Sequence, residues 1–199
     1  MNNQEPLTSS DVTIMIGTFF GSMIFFSLCY KSTELYFENY LSNPKNKENK
    51  FHESYEKLDN KQRADFVSRV TSQIHAFLSI SLAINALFFT CVDPNDSESS
   101  GYKNFFNSDY CLYYHSSIWQ MITLSFTAGY LLLDIFICKM LIQDNSKLQT
   151  QTYIHHVVGI SGAIAALIYG AGGALIVAFS QLRINKAQQS EFIERALGE

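Results

Sequence analysis

Uncharged stretches of membrane-spanning length alternate with polar segments along this chain. Residues 12–30 carry no formal charge, nor do 70–92 apart from His75, nor 116–133, and 148–182 contains no Asp, Glu, Lys or Arg. A helix needs about 18 or more such residues to cross the hydrocarbon of a bilayer. The pattern therefore predicts an all-α, polytopic transmembrane helical bundle with four spans. A fifth is expected from about Gly172, because 148–182 is long for one helix and Gly170, Gly172 and Gly173 offer a break.

Charge fixes an orientation for these spans. Residues 1–11 hold Glu5 and Asp11 but no lysine or arginine, whereas Lys31, Lys45, Lys47, Lys50, Lys57, Lys61 and Arg63 follow the first span. Basic residues gather on the cytosolic side. The expected organisation is an exoplasmic amino terminus over 1–11, a first span over 12–30, a cytosolic connector over 31–65, a helical domain over 66–187 and a polar tail over 188–199. The loop after the second span carries four acidic residues and one lysine over 93–115, in keeping with the exoplasmic side. There the Asn95-Asp96-Ser97 sequon would accept a glycan, and Cys91 and Cys111 flank the loop as a candidate disulfide. The average hides all of this: mean hydropathy is +0.03 and net charge −4. No basic patch favours nucleic acid.

Within the spans, polar residues fall into stripes. Gln120, Thr123, Thr127, Tyr130 and Asp134 are spaced 3, 4, 3 and 4, so they project within about 80° of one another on a helix. A carboxylate in such a place costs about 2.5–3.5 kcal/mol on insertion scales and normally faces a cavity or a partner. On the second span Arg69, Ser72, His75 and Ser79 share an arc of about 120°. His155 and His156 open the fourth span, where His155 shares one face with Gly159, Gly162, Ala166, Gly170 and Gly173. Gly17 and Gly21 form a GxxxG pair on the first. Such small-residue faces let helices approach closely and would serve oligomerisation. Counted from the cytosolic ends of their spans, His75, Asp134, His155 and His156 all fall in the cytosolic half of the bilayer, so they can converge on one cytosol-facing cavity.

Three local patterns carry a resemblance. Arg69-Val70-Thr71-Ser72-Gln73-Ile74-His75, Gly129-Tyr130-Leu131-Leu132-Leu133-Asp134 and the pair His155-His156 follow one another in the order and spacing of the TLC-domain family. That membrane module is shared by ceramide synthases and several smaller lipid-related proteins, and the chain looks closer to the smaller ones. Phe66 stands where the family usually has tryptophan. After the histidine pair the chain reads Val157-Val158-Gly159-Ile160-Ser161-Gly162 in place of the longer polar motif of ceramide synthases. The resemblance covers roughly residues 66–173, the front two-thirds of the family's fold, and implies a domain short of the later helices.

Two functions of different class follow. The resemblance implies a lipid-homeostasis protein of the endoplasmic reticulum, amino terminus lumenal, that binds or handles membrane lipid of the sphingoid, ceramide or phospholipid class. Arg69, Ser72, His75, Gln120, Thr123, Thr127 and Tyr130 are the candidate lipid-binding residues. The alternative is a lipid N- or O-acyltransferase resembling ceramide synthase, with His155 or His156 as general base, Asp134 orienting it, and acyl-CoA as substrate. A shortened, inactive family member would retain the same residues. No bound cofactor is expected. His75, Asp134, His155 and His156 are ligand types that suit zinc or iron, but adjacent histidines project about 100° apart on a helix, so no metal site is assigned.

Overall fold

The computed structural model describes residues 8–42, 54–91, 110–114, 116–143, 146–170 and 176. The expected glycan acceptor Asn95, the expected fifth span apart from Ile176, and the tail over 188–199 lie outside these residues. Among the described residues the chain is helical, without strands, and has four helices long and apolar enough to cross a membrane. They are α1 (Ser9–Ser42), α2 (Asn60–Phe88), α3 (Ile118–Ile137) and α4 (Lys147–Tyr169).

Local chemistry sets the helix ends. Asp59 caps α2 and Ser117 caps α3. In each, the cap side chain accepts from the backbone N–H of a glutamine three residues on, and that glutamine accepts in return from the cap's own N–H. At the other end of α3 one π-helical turn, Cys138–Ile142, closes on Gln143, whose φ of 52° lets its N–H reach the Cys138 carbonyl at 2.9 Å. Gly170 ends α4 with φ of 64°, a conformation that glycine adopts without steric cost.

Two boundaries differ from the sequence reading. α1 continues past Tyr30 to Ser42, so 31–42 belongs to the first helix and not to a connector. At about 1.5 Å per residue its 34 residues outrun a hydrocarbon core of about 30 Å. The projecting turns are held by an exposed Lys31–Glu34 ion pair and by Phe37, which stacks on Tyr55 and meets Phe66 edge-on at 5.0 Å. α2 likewise begins at Asn60, six residues before the expected start, because the Asp59 cap lies in the polar segment ahead of the apolar run.

α3 is the central element and packs against α1, α2 and α4. Its closest approach is to α1. A Cβ on Gly129 would collide with the Phe19 carbonyl oxygen, and Ser22 donates to the Phe126 carbonyl at 2.6 Å from a buried position. The expected Gly17/Gly21 contact is not made within the chain: both glycines are exposed and a Cβ on either would meet nothing within 4 Å. Around the contact, Phe26, Tyr130 and Leu131 form one core cluster, and Ala83, Leu87, Leu124, Ala128, Ala163 and Ala166 form another. Outward faces are apolar too. Phe20, Ile24 and Leu28 on α1, and Val158 and Ile168 on α4, are exposed, which suits lipid as solvent.

The end of the bundle away from the lysine-rich segment is fastened. Cys91 and Cys111 are joined by a disulfide. Beside it Thr90 and Ser117 share a hydrogen bond of 2.8 Å, the Gln120 amide donates to the Ala86 carbonyl, and the Ser116 N–H donates to the Gly170 carbonyl.

Candidate functional site

The polar seam of α3 is buried along its whole length, since Gln120, Thr123, Thr127, Tyr130 and Asp134 each expose 6% or less. It faces the polar stripe of α2, and the two make a ladder of contacts whose chemistry changes with depth. At the disulfide end Gln120 completes the α3 cap and Thr123 donates to the Trp119 carbonyl at 2.7 Å. These groups are satisfied within their own helices or by α2. Thr127 then meets Ser79 at 3.5 Å, and Ser79 meets His75 Nε2 at 2.8 Å.

His75 is sealed in the core. Its ring stacks on Tyr130 with centroids 3.8 Å apart, and Phe26 meets it edge-on at 5.5 Å. At 1% exposure it has the surroundings of a packed core histidine. The Tyr130 hydroxyl, at 2.6 Å from Ser72 Oγ, links that stack to the next rung.

Asp134 forms the last rung. Ser68 donates to Oδ1 at 3.1 Å, and the Cys138 thiol sits 3.9 Å from Oδ2. On the remaining side His156 of α4 brings Nδ1 to 3.5 Å from Oδ2. That separation permits an electrostatic contact, but its alignment makes no hydrogen bond, and Nδ1 is buried without a partner. Three helices thus place a carboxylate and an imidazole face to face inside the bundle, with the Ser68 hydroxyl holding the carboxylate from α2.

The other sequence candidates lie elsewhere. Arg69 turns from the seam and pairs with Asp65 at 2.9 Å, where both side chains are partly exposed. His155 is half-buried, its ring 5.8 Å from that of His156 and tilted by 50°. The face of α4 that packs inward carries His156, Ala163 and Ala166; of the expected packing face, Ala166 is buried while His155 and Gly162 are only partly so. Gly159 still serves close packing, because a Cβ there would press on Leu131 at 3.0 Å. Gly173 lies outside the described residues.

Ser68 and Cys138 were not legible as site residues from motif resemblance. Spacing carried the signal: Ser68 extends the row Ser72, Ser79 by one turn, and Cys138 lies one turn after Asp134. Among the described residues no group of three or more His, Cys, Asp or Glu is arranged to hold a metal ion.

A family model described as the TLC domain matches residues 65–180, more than half of the chain. No curated protein and no solved structure matches.

Proposed function

The chain belongs to the TLC-domain family, a lipid-associated family of membrane proteins, and on that premise we propose that it binds membrane lipid at the Asp134–His156 end of the bundle. The observation that carries this reading is the pairing itself: a buried carboxylate faces a buried imidazole whose Nδ1 has no hydrogen-bond partner. Helix-to-helix polar bonds in membranes average only about 0.6 kcal/mol, against about 2.5–3.5 kcal/mol to insert an acid. Packing alone is therefore a poor reason for Asp134 to be there. A lipid headgroup with donors and acceptors of its own supplies a better one.

The site opens to the cytosol in this reading. The Cys91–Cys111 disulfide lies at the opposite end, and disulfides persist in oxidising compartments. Lys57 and Lys61 lie at the near end, as cytosolic lysines do. Both features agree with a lumenal amino terminus in the endoplasmic reticulum. Sphingoid bases, ceramides and phospholipids are the ligand classes in view.

A second reading, acyl transfer from acyl-CoA to a lipid amine or hydroxyl, is favoured by one detail. A carboxylate 3.5 Å from Nδ1 would orient the ring once the two align, leaving Nε2 to take the acceptor's proton and pass it to the departing CoA thiolate. In that reading His156 is the base and Asp134 the positioning residue.

One set of measurements separates these readings. The purified full chain is reconstituted with sphingosine, ceramide and phosphatidylcholine, with and without acyl-CoA, and its lipids are extracted and weighed by mass spectrometry. Bound lipid that is chemically unchanged and reduced about tenfold in Asp134→Asn supports lipid handling; that reduction corresponds to a lost interaction of about 1.4 kcal/mol. An acylated product that disappears in His156→Ala supports transfer. Lipid content no higher than in an unrelated four-helix membrane protein rejects both.

A further inference from the structure

The three helices α2, α3 and α4 begin with the same pattern, a capping Asp or Ser followed three residues later by glutamine: Asp59 and Gln62, Ser117 and Gln120, Ser146 and Gln149. In α2 and α3 the glutamine side chain returns to the cap's N–H, at 3.0 and 3.2 Å. In α4 only half of the motif forms. Ser146 Oγ accepts from the Gln149 N–H at 3.1 Å, but the Gln149 side chain does not return to the cap. Its Nε2 is buried with no hydrogen-bond partner.

Residue type and spacing are those of the two closed motifs, so they do not by themselves set the difference. It also sacrifices a hydrogen bond and buries a donor, both unfavourable in themselves. A second group shares the condition. His156 lies seven residues on, hence on the same face of α4, with a side chain 10% exposed and Nδ1 unpartnered. Only four buried side-chain polar atoms lack partners among the described residues, and two of them lie on this one face of α4, where His156 meets Asp134.

We propose that Gln149 is a headgroup-contact residue whose amide N–H donates to an acceptor oxygen of the bound lipid. This rests on the lipid-binding reading above and adds to it an outer contact. Gln149 and His156 are about 10 Å apart along the helix axis, so they address different parts of one lipid. The outer contact donates to an oxygen, either of a phosphate or of a neutral hydroxyl or carbonyl group.

The test uses the full chain in phosphatidylcholine nanodiscs, with phosphatidic acid or diacylglycerol as the added probe and binding read by native mass spectrometry. Gln149→Met removes the donor at similar length. Gln149→Glu replaces it by an acceptor while remaining suited to the capping motif, so its fold is protected. Loss of one neutral donor weakens binding roughly 3- to 10-fold. Weakening by both variants for phosphatidic acid alone supports the proposal with a phosphate oxygen as the acceptor; weakening for both lipids supports it with an oxygen common to the two. If Asp134→Asn weakens binding but both Gln149 variants bind each lipid as the wild type does, the outer contact is overturned and the deeper site stands. If the wild-type protein enriches neither probe, the lipid-binding reading fails at its base and takes the contact with it.

Discussion

His155 and His156 are neighbours in the chain with different surroundings, and that difference is measurable. His156 faces Asp134 from a buried position, whereas His155 stands to one side, half-buried. His156→Ala is expected to reduce lipid retention, or any acyl transfer, by at least tenfold. His155→Ala should stay within about threefold, since it removes a group that does not touch the carboxylate. Equal losses in the two variants would place the chemistry on the pair rather than on one ring. His75 makes the complementary case. Its ring is stacked between core aromatics and its Nε2 is engaged by Ser79. His75→Phe preserves the stack and removes one hydrogen bond, so thermal denaturation in detergent should report a loss of about 1 kcal/mol while lipid retention stays near wild type. A large loss of retention in a folded His75→Phe protein would return His75 to the site.

At the scale of helices, α3 owes its central position to what it lacks at one point. Gly129 allows the α1 backbone to come close enough for Ser22 to bond the Phe126 carbonyl, and a methyl group there has no room beside Phe19. Gly129→Ala is expected to destabilise the bundle by about 1–3 kcal/mol, the usual cost of overpacking. Gly17→Ala and Gly21→Ala, in open space, should leave the monomer's melting midpoint unchanged or slightly raised. A scan of the three purified variants by thermal unfolding tests the ordering. The π-helical turn after α3 is the other local irregularity, and it follows directly on the turn that holds Asp134 and Cys138.

Across the whole molecule the two ends of the bundle differ in kind. One is tied by a disulfide and by hydrogen bonds among α2, α3 and α4; the other gathers the carboxylate, the imidazole and the displaced glutamine. The proposed orientation has a direct readout in sealed endoplasmic-reticulum vesicles, whose outer face is cytosolic. In a Cys29→Ala, Cys138→Ala background, a cysteine replacing exposed Lys139 should react with a membrane-impermeant maleimide at once. One replacing exposed Ser10 should react only after permeabilisation. The reverse order would invert the protein and put the Asp134 end in the lumen.

Several levels of this organisation follow from the sequence alone. Run lengths of uncharged residues specify four spans because the hydrocarbon core sets a minimum helix length. The 3, 4, 3, 4 spacing gathers Gln120 through Asp134 on one face because an α-helix repeats every 3.6 residues. The order of short motifs identifies the family. None of these determines how one helix is rotated against the next, and at that level the tertiary structure decided otherwise. It turned His156 rather than His155 toward Asp134, where the sequence left both open, set Ser68 beside that carboxylate while Arg69 pairs with Asp65, and brought α1 against Gly129 while Gly17 and Gly21 face outward. Gln149 shows the same limit most sharply. Its sequence context is that of Gln62 and Gln120, yet its side chain does not return to the cap as theirs do. Periodicity relates residues within one helix. The contacts that orient helices toward one another arise between segments distant in the chain, where shape and burial choose among faces that a single strip of sequence leaves equivalent.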